Sequence, residues 1–233
     1  EEDVLVDGYS LYINGPLRQN SNVRQEGEDT FEGLKLFAKG HQIQPQDIGR
    51  LISAGVSQTT VYCPLRVAII STGSELCEPD TVAQNEQIFD ANRPMLQAIL
   101  KRWGMDVVDI GIVTDDAALV REALNDAASQ ADVVITSAGA SAGDEDHVSA
   151  SLTAAGNMSL WRIAVKPGRP LALGMWNGIP VFGLPGNPVA AFVCTLIFVR
   201  PSLMQLAGAG FVVPKSLTLP ASFSKTKKAG RRE

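Results

Sequence analysis

Cysteine and histidine are scarce: the chain has three cysteines and two histidines in 233 residues. Cys63, Cys77 and Cys194 are scattered and no C-x-x-C occurs, so neither a disulfide framework nor a thiolate zinc site is predicted. Reduced thiols in a cytoplasmic protein are the expectation. His41 and His147 are far apart and lack partners, which leaves little room for a Ser-His-Asp triad and marks both as surface or structural side chains. No G-x-x-x-x-G-K-[ST] sequence occurs, so the chain is no P-loop nucleotide hydrolase. Gly139 and Gly143 stand four apart in a polar loop, not in a G-x-G-x-x-G fingerprint. Basic charge is not in excess. Twenty Lys and Arg against 25 Asp and Glu give a net charge of −5, which argues against nucleic acid as a partner. The longest apolar run, near 189–199, falls short of the ~20 residues of a membrane helix, so no membrane association is predicted. No signal-peptide pattern is seen, and an opening Glu1 in place of Met suggests a piece of a longer protein.

What is present is apolar content of 45%, enough for one good core and one or two smaller units. Residues 2–13 alternate polar and apolar around Asp7-Gly8 and predict a hairpin. Residues 34–37 and 56–62 suggest short strands. Between them, Pro45 and Gly55 bracket a short helix. Pro64 marks a boundary, so 1–64 is expected to be a β-rich segment with one helix.

From residue 65 the pattern changes. Strands at 66–71, 105–113, 131–137 and 159–165 alternate with helices that begin near Pro94, after Thr114-Asp115, after the loop at 137–146 and near Pro188. Asn177-Gly178 joins two apolar segments as a second hairpin. Pro201 is expected to kink or end the last helix near Arg200. Trp161 and Trp176 read as core residues. This alternation predicts a three-layer α/β/α domain over 65–207, with a mostly parallel sheet and one antiparallel strand. Residues 208–233 look like the start of a further β domain.

Open α/β sheets bind ligands at the carboxyl ends of their strands. Four glycine-rich loops follow strands here: STGSE (71–75), SAGASAGDED (137–146), KPGRP (166–170) and GLPGNP (183–188). Amides at Gly73, Gly139, Gly143 and Gly186 can approach an anion closely, and Lys166 and Arg169 add positive charge. Glu75, Asp90, Asp115, Asp144, Glu145 and Asp146 stand against them. Basic groups and acids on one rim suit a phosphate ligand bridged by a hard cation such as Mg²⁺, which takes oxygen ligands. Plainer roles stand beside these: Asp115, Asp144 or Glu145 as helix caps, Asp90 as a surface turn residue, Asn187 as a local Asx-type acceptor.

RVAIISTGSEL, IFDANRPMLQAIL, DIGIVTDD, ADVVITSAGASAGDED, WRIAVKPGRPLALG and VFGLPGNPVAAFV, in this order, resemble the molybdopterin molybdenumtransferases. VRQEGEDT upstream and AGRRE at the end match the same family. The resemblance implies a molybdopterin-binding α/β fold. It implies insertion of molybdate into adenylylated molybdopterin with release of AMP, a divalent cation such as Mg²⁺, and a homodimer working beside other proteins of molybdenum cofactor synthesis. It gives Glu75, Asp115 and Asp146 the handling of metal or molybdate, and Lys166 an anion. Thr72, Gly73, Asp90, Gly139, Ser141, Gly143, Gly168, Arg169, Pro185, Gly186, Asn187 and Pro188 would seat the pterin phosphate and AMP, and Asp29 matches the aspartate of the family's GED. Departures are Ser74 for an aspartate, Ala138 and Ala140 in a loop that elsewhere reads GGV, and Arg162 and Arg169 where lysine is usual. The alternatives are a non-catalytic module that binds a pterin nucleotide and the adenylyltransferase that precedes this step.

Overall fold

The computed structural model describes residues 4–16, 18–138, 147–155, 158–163, 165, 170–211, 213–214, 216–220, 222–224 and 226, apart from the side chains of residues 160–162. The chain divides into two compact units, Glu1–Thr59 and Thr60–Glu233.

In the first unit, β1 (Val4–Asp7) and β2 (Ser10–Ile13) form the hairpin, with Asp7 opposite Ser10 and Gly8 at φ 57° in the turn. Helix α1 (Pro45–Ser53) starts on Pro45. Its first turn is closed by Asp47, which accepts from the Gln44 N–H at 2.8 Å and contacts His41 Nε2 at 2.7 Å. His41 also stacks on Phe37, with ring centroids 4.6 Å apart. The strands expected at 34–37 and 56–62 do not form. Both segments have β-type composition but find no partner strand, and most of their residues are exposed. An isolated extended segment has no ladder to hold it.

The second unit is built on β3 (Arg66–Thr72), whose period-two alternation feeds two cores. Val67 and Ile69 face one way, into a cluster with Leu96 and Leu100 of α2 (Asn92–Arg102). Ala68 and Ile70 face the other, into a cluster with Val120, Leu124 and Ala127 of α3 (Ala117–Gln130) and with Val148 and Leu152 of α4 (His147–Ala154). Parallel to β3 lie β6 (Asp106–Val113) on one side and β7 (Val133–Ser137) on the other. Ahead of α2, the short strands β4 (Leu76–Cys77) and β5 (Ile88–Phe89) pair in a side loop.

The sheet runs β6-β3-β7-β10-β9-β8, with β8 (Met158–Arg162), β9 (Pro170–Trp176) and β10 (Ile179–Leu184). Only β9 runs against the others, paired to β10 through a tight turn in which Asn177 (φ 49°) and Gly178 (φ 81°) both take the left-handed conformation. This is the expected three-layer α/β/α architecture. From β3 the chain crosses to β6, then returns over β3 to β7, so the connections reverse direction between β3 and β7. That reversal opens a crevice at the carboxyl ends of these two strands.

Asp116, not Asp115, caps α3: its carboxylate accepts from the N–H groups of Ala118 (2.8 Å) and Leu119 (3.0 Å). The Leu119 and Ala118 amides hold the Asp116 carboxyl below the usual carboxylate range. A group with a lowered folded pKa stabilises above its unfolded pKa, and that stability is lost as pH falls through the folded value. Replacing Asp116 with Ala is therefore expected to lower Tm at neutral pH, with the gap from the unaltered chain closing as pH falls below the ordinary aspartate range. Parallel thermal melts from pH 7 downward measure this.

The last helix does not end at Arg200. Helix α5 (Pro188–Cys194) passes through a π-helical turn, Thr195–Val199, into α6 (Arg200–Leu206). Pro201 lacks an N–H and crowds the carbonyl four residues back, and the turn before it widens: the Arg200 N–H donates to the Thr195 carbonyl, five residues back. The span Pro188–Leu206 is long and apolar enough, by composition alone, to cross a membrane. Its inner residues Ala191, Cys194, Val199 and Leu203 are 0% exposed in the first core, the pattern of a core helix. Burial raises the Cys194 thiol to about 11. Beyond α6, no strand forms among the described residues of 208–233.

Candidate functional site

The strand register decides where the loops meet. Ile112 of β6, Ser71 of β3, Ser137 of β7 and Leu184 of β10 stand side by side in one row. The four strands are parallel, so the loops that leave them share one edge of the sheet. At about 4.8 Å per strand this row spans about 14 Å.

At the β3–β6 end of the row, two loops interlock. The Ser74 N–H donates to Asp115 Oδ2 and the Asp115 N–H donates to Ser74 Oγ, each at 3.2 Å. Glu75 follows directly, and both carboxylates are exposed. Asp115 is thus held by the β3 loop. The side chain that departs from the family pattern, Ser74, supplies a neutral acceptor where an aspartate would place another negative charge beside it. Gly73 has φ 154°, and a Cβ there would sit 2.7 Å from Glu75 Oε2. Bare backbone at Gly73 lets the Glu75 carboxylate fold back over the turn. The Gly73 amide is not available to an anion, because it donates to the Val113 carbonyl at 3.1 Å. Thr72 closes the strand and is 5% exposed.

At the β7–β10 end, Pro185 is buried while Gly186, Asn187 and Pro188 are exposed. A Cβ on Gly186 would lie 3.8 Å from the Ala138 Cβ, so the end of β7 and the loop after β10 approach closely. The Asn187 side chain accepts from the Ala190 N–H at 3.1 Å and caps α5, the local role read beside the ligand-binding one.

Behind the row lies a polar cluster. The Asp90 side chain is 1% exposed; it accepts from the N–H groups of Asn92 and Arg93 and from Arg93 Nε, each at 3.1 Å. Asp90 is therefore neither a surface turn residue nor open to a ligand; it closes the first turn of α2. Arg93 also donates to Asp109 of β6 (2.6 Å) and to Glu78 after β4. Burial works against the Arg93 charge, but the hydrogen bonds to Glu78 and Asp90 and the attraction of Asp109 outweigh it and raise its pKa. Of this cluster only Asp90 stands out in the sequence; for Asn92, Arg93, Glu78 and Asp109 the one local signal is an arginine three residues after an acid at a helix start.

Gly139, Ser141, Gly143, Asp144, Glu145 and Asp146, with Ala140, fall between β7 and α4. Lys166, Gly168 and Arg169 fall between β8 and β9. All lie outside the described residues, as do the side chains of Trp161 and Arg162. Trp176 is half-buried, packs against the second core and donates from Nε1 to Asn125 at 2.9 Å. Asp29 belongs to the first unit, where it pairs with Arg24 at 2.7 Å. Among the described residues, no three His, Cys, Asp or Glu side chains gather as a metal site. Glu75 and Asp115 are hard oxygen donors and fit a hydrated divalent cation, for which one or two protein carboxylates suffice.

A family profile described as "Probable molybdopterin binding domain" matches residues 68–205. The chain is similar to the molybdopterin molybdenumtransferase of Haemophilus influenzae, with 38% identity over 202 residues, which is 87% of this chain and 50% of that protein. It is also similar to molybdopterin molybdenumtransferase 2 of Mycobacterium tuberculosis, with 34% identity over 85% of this chain and 51% of that protein. The crystal structure of a molybdopterin biosynthesis MoeA protein from Pyrococcus horikosii superposes with a TM-score of 0.72 at 29% identity, over 89% of this chain and 52% of that one. The chain thus spans about half the length of these relatives. Residues 68–205 hold most of both cores and the row Ile112–Ser71–Ser137–Leu184, and on that match the chain belongs to the family of molybdopterin-binding domains, in the form that is similar to the molybdopterin molybdenumtransferases.

Proposed function

We propose that this chain binds adenylylated molybdopterin along the carboxyl edge of its sheet and inserts molybdate at the dithiolene, with release of AMP. The observation that carries this reading is the single row Ile112–Ser71–Ser137–Leu184, from which the acidic Glu75–Asp115 end and the bare Gly186–Pro188 end emerge on the same edge. The stiff GLPGNP turn serves as the floor for the pterin nucleotide, with Thr72 and Ser137 closing the strands beneath it. Glu75 and Asp115, with Asp146, would hold a divalent cation such as Mg²⁺, which would supply positive charge to the phosphate and the molybdate oxyanion. Lys166 and Arg169 would offer positive charge to an anion, and Gly139, Ser141, Gly143 and Gly168 would offer it backbone amides or a hydroxyl.

A homodimer in the cytoplasm, working with other proteins of the pathway, belongs to the same reading. Exposed Val189 (58%), Phe192 (41%) and Leu206 (49%) on the outer side of α5–α6 give an assembly apolar surface to cover.

The test is AMP release from adenylylated molybdopterin by this 233-residue chain, with and without molybdate and Mg²⁺. Molybdate-dependent release supports the transferase. Tight binding without release makes the chain a pterin-nucleotide module. Formation of adenylylated molybdopterin from ATP and molybdopterin would instead identify the preceding adenylyltransferase.

A further inference from the structure

Asn92 opens α2 and is 7% exposed. Its side-chain Nδ2 donates at 2.7 Å to Ser137 Oγ and at 2.7 Å to the Gly186 carbonyl, acceptors 45 and 94 residues along the chain. The amide orientation is set by chemistry: the Gly186 carbonyl only accepts, so the group facing it is the NH₂. Oδ1 is then left buried without a hydrogen-bond partner. The first turn of α2 is already capped by Asp90, so the helix does not need this side chain for its own amides. What the amide does do is join the end of β7 to the loop after β10.

We propose that Asn92 is a positioning residue: its amide ties Gly186 to the β7 strand end and so sets the floor on which the pterin nucleotide lies. This rests on the functional reading above. The tie is short at both ends, with Ser137 Oγ and the Gly186 carbonyl each 2.7 Å from the one amide nitrogen. Pro185 and Pro188 flank Gly186 and restrict its neighbours, so a shift at Gly186 moves the turn as a unit.

Asn92→Asp keeps the shape but replaces the donor by a carboxylate. Ser137 can rotate its hydroxyl and donate to that group, whereas the Gly186 carbonyl faces another acceptor. The Gly186 tie is thus broken selectively. Affinity for adenylylated molybdopterin is expected to fall at least about tenfold. Hydrogen exchange of the three amide protons in 186–189, those of Gly186, Asn187 and Val189, should rise at the same time. Leu100→Ala, a core change eight residues further along α2, is the control: it lowers Tm with neither effect. Wild-type affinity in Asn92→Asp, unchanged exchange at 186–189, or the same two changes in Leu100→Ala overturns the proposal. If Asn92→Asp does not fold, Asn92→Ala is read in the same assays; if neither folds, Asn92 is a core residue and the positioning role is wrong. An unaltered chain that binds no adenylylated molybdopterin refutes the functional reading instead, and the exchange difference at 186–189 then still decides whether the tie exists.

Discussion

Arg93→Ala is expected to destabilise the second unit by about 3–5 kcal/mol, because it strands a buried carboxylate. The partners of Arg93 differ in what they lose. Asp90 has 1% side-chain exposure and pairs with no other cation among the described residues; Glu78 and Asp109 are 42% and 41% exposed and recover water. Nearly all the expected loss therefore belongs to Asp90. Urea denaturation of the unaltered chain, Arg93→Ala, Asp90→Asn and the double variant closes a thermodynamic cycle. The double variant should be more stable than the Arg93→Ala single, since its buried group no longer carries charge. A loss below about 1 kcal/mol in Arg93→Ala would mean that the cluster is hydrated and behaves as a surface ion pair. Arg93→Lys tests geometry at constant charge. Lysine cannot present a planar fork to Asp90, Glu78 and Asp109 together, so it should restore only part of the stability.

The second large effect is expected on catalysis. Glu75→Gln and Asp115→Asn should each lower the rate of molybdate-dependent AMP release about 10²-fold or more, with nucleotide binding retained, on the reading that both charges serve the reacting groups. Asp115→Asn is informative because the amide oxygen can still accept from the Ser74 N–H. The two loops stay joined while the charge is removed, which separates charge from loop geometry. Single-turnover assays beside equilibrium binding give the two quantities. Full turnover in either variant removes that residue from the reaction. Restoration at raised Mg²⁺ would locate the defect in cation affinity.

Much of this layout was legible in the residues. RVAIIST holds a continuous apolar run that reads as a buried strand, and the strand forms with Val67 and Ile69 in one core and Ala68 and Ile70 in the other. Asn177-Gly178 specified its hairpin turn, and glycine and proline marked the loops at the sheet edge. The misreadings were of another kind. Asp115 and Asp116 are adjacent acids at a helix start, and no local pattern says which one caps. Ser74, 41 residues away, claims Asp115 and leaves Asp116 to the helix. The segments 34–37 and 56–62 had strand composition, but a strand also needs a partner. Pro201 had a local preference to stop the helix, and the packing of Val199 and Leu203 in the core kept it going through a π-helical turn.

Hydrophobic period and turn chemistry are properties of neighbouring residues, so the amino-acid order alone fixed the layers, the strand sequence and the loops that crowd one edge. Only the folded chain decided which polar atoms those loops spend on one another: Gly73 on Val113, Asp115 on Ser74, Asn92 on Gly186. A hydrogen bond requires two groups within about 3.5 Å, and when they lie tens of residues apart only tertiary packing sets that distance.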